Sequence, residues 1–251
     1  MKHVKHILLT ALMLLCSLVA SAQTDVEIDG IYYYIPLFNT DQTVHVTNGE
    51  SEYRGSITIP ATVTYDGNTY SVVSIRAGAF ENCSNLISIT IPESMTVIGS
   101  NAFQGCSNLM TVNIPDNSRL RRIGFCAFKN CCSLISINIP QSVTEIDLQA
   151  FSSCSNLESI KIPEESKLTS VSSNAFYQCT NLTSINLPEG VTSIGDWAFY
   201  KCNSLTSITI PESSQLTSIG NYAFYGCSSL TSITIPEGVT SIGDHAFKDC
   251  I

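Results

Sequence analysis

A chain of 251 residues with 21 acidic against 12 basic side chains, net charge −9, has no basic footprint for a nucleic acid and is repelled by anionic membrane surfaces. Only 13% of the residues are charged, while Ser, Thr and Asn are abundant, so the predicted solvent face is neutral and hydroxylated.

Residues 1–22 read as a secretory signal. Lys2 and Lys5 precede an apolar run from Ile7 to Ala20, and Ala20-Ser21-Ala22 offers a small-residue cleavage site before Gln23. The run is too short for a spanning helix, and no other segment is long and apolar enough, so no membrane span is expected once the signal is removed. Leu15 ahead of Cys16 argues against a lipoprotein signal. Removal leaves 10 basic against 21 acidic residues, a charge of −11. Export predicts a secreted or extracellular-surface protein, with the periplasm as the other compartment.

Residues 23–75 read as a β-rich N-terminal cap. Ile31–Ile35 and Thr43–Val46 have strand character, and Thr64–Tyr70 forms a hairpin around Asp66-Gly67. From about residue 55 to 251 the chain repeats. Ala-Phe-x-x-Cys recurs eight times, with its cysteines at Cys83, Cys106, Cys131, Cys154, Cys179, Cys202, Cys227 and Cys250. The intervals alternate 23, 25, 23, 25, 23, 25, 23, which marks a solenoid whose true unit is a pair of repeats.

Each repeat predicts the same path. A strand such as Ser207-Ile208-Thr209-Ile210 alternates polar and apolar residues, and a proline stops it. Eight of the nine prolines hold this place: Pro60, Pro92, Pro115, Pro140, Pro163, Pro188, Pro211 and Pro236. A second extended piece follows, as in Val191–Gly195, and then a helical turn N-capped by Ser100, Asp196, Asn221 or Asp244. Long repeats carry two extra residues after the proline, at Pro115–Ile123, Pro163–Val171 and Pro211–Ile219, so every second loop protrudes. The eight in-step cysteines form a column of buried thiols. A disulfide needs Cβ vectors that converge, which one shared side-chain direction does not supply. Cys126 and Cys132 lie off that column and are the candidates for exposed, reactive thiols. The chain stops at Cys250-Ile251, where another strand is due, so the last repeat reads as incomplete and the array as a fragment of a longer one.

The pattern Cys-x-x-Leu-x-x-Ile-x-Ile-Pro-x-x-Val-x-x-Ile-Gly-x-x-Ala-Phe-x-x-Cys resembles the BspA-like, Treponema-type leucine-rich repeat family over about residues 55–251. The resemblance implies a parallel β-sheet on the concave face, with short helical or extended segments on the convex side. It also implies a surface or secreted protein of a host-associated anaerobic bacterium, with a role in adhesion to host extracellular proteins and other cells. The family has no catalytic residues to carry over.

Exposed strand positions form two columns: Ser88 and Thr90, Thr111 and Asn113, Ser136 and Asn138, Ser159 and Lys161, Ser184 and Asn186, Ser207 and Thr209, Ser232 and Thr234. They read as a hydrogen-bonding platform for a protein or glycoprotein ligand, such as host extracellular matrix or mucin. Glu158 and Lys161 place opposite charges on one rung, the first choice for a specific contact. The acidic residues after the prolines, Glu93, Asp116, Glu164, Glu189, Glu212 and Glu237, read as a solvated turn edge rather than a calcium site. Tyr177, Trp197, Tyr200, Tyr222 and Tyr225 read as cover for neighbouring rungs. With His45 and His245 far apart, and no nucleophile motif, zinc spacing or phosphate loop, neither enzyme chemistry nor a metal or cofactor is expected. Two functions stay open: an adhesive binding module, and a structural spacer in a larger surface protein.

Overall fold

The computed structural model describes residues 24–37, 39–50 and 52–250; the secretory-signal reading falls on residues outside these. The chain opens with β1 (Thr24–Ile28), β2 (Ile31–Ile35), β3 (Thr43–Val46), β4 (Gly55–Thr58), β5 (Thr62–Tyr65) and β6 (Asn68–Ile75). β1 and β2 form an antiparallel hairpin across Asp29-Gly30, and β5 and β6 form another across Asp66-Gly67. In both turns the two central residues have positive φ, 51° and 79° in the first and 48° and 75° in the second, the geometry that matches strand twist in a two-residue hairpin.

Short strands then follow in chain order: β7 (Leu86–Thr90), β8 (Val97–Ile98), β9 (Thr111–Asn113), β10 (Arg122–Ile123), β11 (Ser136–Asn138), β12 (Glu145–Ile146), β13 (Ser159–Lys161), β14 (Ser170–Val171), β15 (Ser184–Asn186), β16 (Ser193–Ile194), β17 (Ser207–Thr209), β18 (Ser218–Ile219) and β19 (Ser241–Ile242). Odd-numbered strands from β7 to β17, together with β4, build a seven-stranded parallel sheet, here termed the strand face. The second strands of the repeats form two further runs. β8, β10 and β12 extend the sheet begun by β1, β2, β3 and β6, while β14, β16, β18 and β19 form a separate four-stranded sheet. At the break, the Ser172 hydroxyl donates to the Ile146 carbonyl at 2.6 Å, where other rungs use a backbone amide such as Gly124 N to Ile98 O.

No helix occurs among the described residues, which corrects the expected helical turn of each repeat. The Ala-Phe segment is instead a run of tight turns. In one rung Ala102 N bonds Gly99 O at 3.3 Å and Cys106 N bonds Phe103 O at 3.1 Å. The third residues of these turns, Asn101 and Gly105, have φ of 56° and 75°, as a type II turn demands. The intervening amides point to the next rung: Asn101 N to Phe125 O at 2.7 Å, Phe103 N to Ala127 O at 2.7 Å and Gly105 N to Lys129 O at 2.8 Å. A helix of one turn leaves its first four amides without intrahelical partners, whereas this arrangement ladders half of them to a neighbour. The residues read as N-caps work between rungs: Asp196 Oδ1 accepts Asn221 N at 2.6 Å, and Asn221 Oδ1 accepts Asp244 N at 2.7 Å. Glycine before this turn has a separate cause, because a Cβ on Gly243 would lie 2.4 Å from Asn221 N of the rung below.

The core is a set of columns. Eight phenyl rings from Phe80 to Phe247 stack at centroid spacings of 5.0–5.5 Å and interplanar angles of 3–12°, and Tyr53 packs on the first at 4.4 Å. Beside them runs the cysteine column, with no disulfide among the described cysteines. From Cys106 onward each ladder thiol donates to the phenylalanine carbonyl one rung back, as in Cys154 Sγ to Phe128 O at 3.0 Å. The same carbonyl accepts the amide of its own rung's cysteine, Cys131 N at 3.1 Å. Cysteine is thus a small core residue that also supplies a donor.

Candidate binding face

The strand face aligns the sequence-predicted columns. Ser88 pairs with Thr111, Thr111 with Ser136, Ser136 with Ser159, Ser159 with Ser184, and Ser184 with Ser207. In the second column Thr90 pairs with Asn113, Asn138 with Lys161, and Asn186 with Thr209. The inward residues between them are buried, whereas the columns are exposed or, at Ser88, Thr90 and Asn138, half-buried. Ser232 and Thr234 are also exposed, but residues 231–236 form no strand. The seven-stranded sheet ends at β17, so this pair does not extend it.

Side chains within the columns bond one another only sparsely. Ser88 Oγ donates to Ser56 Oγ at 2.8 Å and Asn113 Nδ2 to Thr90 Oγ1 at 3.4 Å, while Asn138 Nδ2 turns to Asp116 Oδ1 at 2.6 Å. Thr90, Thr111, Asn113, Ser136 and Asn138 line a depression of about 590 Å³ that reaches Glu93 and Pro115 on the loop edge.

One feature escaped the period-2 reading. The residue just before Ser88, Thr111 and Ser136 is Ile87, Met110 and Ile135, exposed by 48%, 47% and 43%. Met110 N bonds Ile87 O at 2.8 Å and Ile135 N bonds Met110 O at 3.5 Å, so the three stand in one row across successive rungs. Glu158 continues the row, through its amide to Ile135 O at 2.8 Å, and Thr183 follows. Glu158 is therefore the neighbour of an apolar row, one position outside the column that holds Ser159 and three residues before Lys161. The only cue in the sequence was an apolar residue where later repeats carry Thr183, Thr206 and Thr231.

The remaining candidates take structural places. Tyr177, Tyr200 and Tyr225 stack at 4.9 and 5.1 Å, and Trp197, Tyr222 and His245 at 4.6 and 5.0 Å, so the facing rings cover one another, while His245 at the end of its stack is exposed. Cys126, expected to be exposed, is buried at 2% with Sγ 3.2 Å from Gln149 Oε1, and burial raises its pKa; its left-handed backbone (φ 53°) is the reason, since the turn directs the side chain against the next rung. Cys132 is half-buried. Among the described residues no group of three His, Cys, Asp or Glu could hold a metal, and no helix is long and apolar enough to cross a membrane.

The sequence matches the model of the BspA type leucine rich repeat region, in six copies, over residues 73–171 and 165–251. The chain belongs to this family. Its fold is shared by a leucine-rich cell surface protein of Faecalibacterium prausnitzii A2-165, at 35% identity and a TM-score of 0.65, over 92% of this chain and 53% of that one. A leucine-rich repeat protein of T. pallidum matches at 29% identity and a TM-score of 0.69, over 83% and 92% of the two chains. One from Bacteroides ovatus ATCC 8483 matches at 26% identity and a TM-score of 0.59, over 90% and 80%. The chain thus spans about half the length of the Faecalibacterium protein. No curated protein matches it.

Proposed function

We propose that this BspA-type chain is the recognition part of a secreted or surface-displayed protein, and that β7, β9 and β11 dock a protein or glycoprotein ligand in adhesion to host matrix, mucin or other cells. The observation that carries this reading is the exposed row Ile87–Met110–Ile135 beside the hydroxyl and amide columns. Exposed contiguous apolar side chains rimmed by polar ones mark interaction sites, and apolar anchors give affinity that small hydroxyls alone do not. The family and the surface protein of Faecalibacterium support the location. The spacer reading draws on β13, β15 and β17, whose outer positions repeat without apolar anchors.

The test is binding of the chain to immobilised matrix proteins and mucin. Met110→Asp with Ile135→Asp is expected to weaken binding at least about tenfold while leaving the urea midpoint in place, because both side chains are exposed. Ser207→Ala with Thr209→Ala is expected to change little. Binding indifferent to the first pair would move the site off these rungs, and no binding to any matrix component would leave the spacer.

A further inference from the structure

The alternating loop lengths build a second site, independent of the strand face. Loops 115–123 and 163–171 are long, and the short loop 140–146 lies between them in sequence and in the rung order. In each long loop a buried serine folds the insertion back: Ser118 Oγ accepts Leu120 N at 3.1 Å and Ser166 Oγ accepts Leu168 N at 3.3 Å. Ser142 of the short loop is anchored below, its one hydroxyl proton shared between the carbonyls of Ser118 and Leu120, which lie 2.8 and 2.7 Å from Oγ. Between the long loops lies a groove of about 630 Å³. Arg119 and Arg121 enter it from one long loop, Lys167 from the other, and Thr96, Ser118, Ser142 and Thr144 complete the lining.

Its charge is the anomaly. Three of the ten basic residues beyond the leader meet here, in a chain with 21 acidic ones. No Asp or Glu lines the groove. All three cations are exposed, and the ion pairs among the described residues belong to Arg122, with Glu145 and Asp147. Like charges gathered without a counter-charge raise the local potential and concentrate an anion there.

The lining selects the kind of anion. It has no aromatic or aliphatic anchor, which a peptide ligand would use. The hydroxyls of Ser142 and Thr144 already donate to backbone carbonyls, Thr144 Oγ1 to Arg121 O at 3.2 Å, so their oxygens remain as acceptors for hydroxyl donors. Arg119 and Lys167 stand two rungs apart, about 10 Å at ordinary strand spacing, so one small anion cannot meet both loops without drawing two long side chains together at a cost in rotamer entropy. An extended polyhydroxylated chain with several anionic groups can, and the guanidinium forks suit its sulfates. A single-stranded nucleic acid would need aromatic rings on which to stack its bases, and none lines the groove. We propose that this groove binds a sulfated saccharide chain.

The experiment is calorimetric titration of the full chain with a heparin-derived octasaccharide, its desulfated counterpart, inorganic sulfate, a polyglutamate peptide and a short oligonucleotide. Only the sulfated octasaccharide is expected to bind, weakening about tenfold between 50 and 200 mM salt as counterions compete. Arg119→Ser with Arg121→Ser and Lys167→Ser should weaken it at least about tenfold, because each removes an unpaired cation. Arg122→Ser, already paired, should leave it unchanged. Equal binding by the desulfated sugar, inorganic sulfate, polyglutamate or the oligonucleotide overturns the assignment, as does a triple variant that binds normally or an octasaccharide that fails to bind.

Discussion

Phe151→Ala is expected to cost about 3–5 kcal/mol, the range for emptying a buried phenyl site, and to divide unfolding into two transitions. The ring is fully buried, 5.2 Å from Phe128 and 5.5 Å from Phe176. Its second contact crosses the break between β12 and β14, where the second-strand ladder is interrupted. The strand face is also thin there, since β13 and β15 register at one pair, Ser159 with Ser184. Coupling between the halves therefore leans on the phenyl and cysteine columns and on the turn amides beside them, Phe151 N to Ala175 O at 2.9 Å and Ser153 N to Tyr177 O at 2.7 Å. In a repeat protein stability is a sum of repeat and nearest-neighbour terms, so weakening the weakest interface separates the halves. Phe247→Ala, at a half-buried ring, should cost less and keep one transition. Urea unfolding followed by circular dichroism and tyrosine fluorescence decides the matter; coincident single transitions with an unmoved midpoint for Phe151→Ala would sink the idea.

Columns were legible in the sequence because one residue type repeats at one place. The alternating interval aligned Phe151 with Phe176 and Ser159 with Ser184, and the two-residue insertions placed the long loops. What failed was local. Asp196 and Asn221 before Ala-Phe satisfy helix-cap rules, yet here each precedes a left-handed residue and makes an inter-rung bond. The recurrence of Asn or Gly at Asn101, Asn174, Gly105 and Gly226 was the better signal, since those types tolerate positive φ. Trp197 and Tyr222 hide it, being bulky residues at φ of 61° and 54°. Ile87, Met110 and Ile135 were missed because a strand period places them inward, whereas they precede the regular pairing. The groove's cations come from loops 48 residues apart, Arg119 and Lys167, and only the winding brings them together.

Raising the pH above about 9 is expected to destabilise the array steeply. Burial, reinforced by the neighbouring thiols, raises Cys106 and Cys227 from 9.0 to about 12 and holds Cys131, Cys154, Cys179 and Cys202 well above 9.0. A folded pKa above the unfolded one means that the unfolded chain binds fewer protons once pH passes 9, so stability is whole below that point and falls above it. At pH 10 the two thiols held near 12, Cys106 and Cys227, each favour the unfolded chain by about 1 kcal/mol. Cys131, Cys154, Cys179 and Cys202 act in the same direction, so the loss grows with the number of buried rungs. Tyr53, raised by burial from 10.0 to about 12, steepens the loss further. Urea titrations from pH 7 to 10.5 should show a flat region and then a decline whose slope is shallower by one proton in Cys154→Ala. A thiol reagent at pH 8 should label the two half-buried cysteines, Cys132 and Cys250, slowly in the folded chain and reach the buried ladder from Cys83 to Cys227 only in denaturant. Stability unchanged between pH 8.5 and 10, or ladder thiols that label in the folded chain, would mean that the column opens far more readily than its packing implies. The same burial that makes cysteine a filler at neutral pH makes it the alkaline weakness of the solenoid, one site per rung.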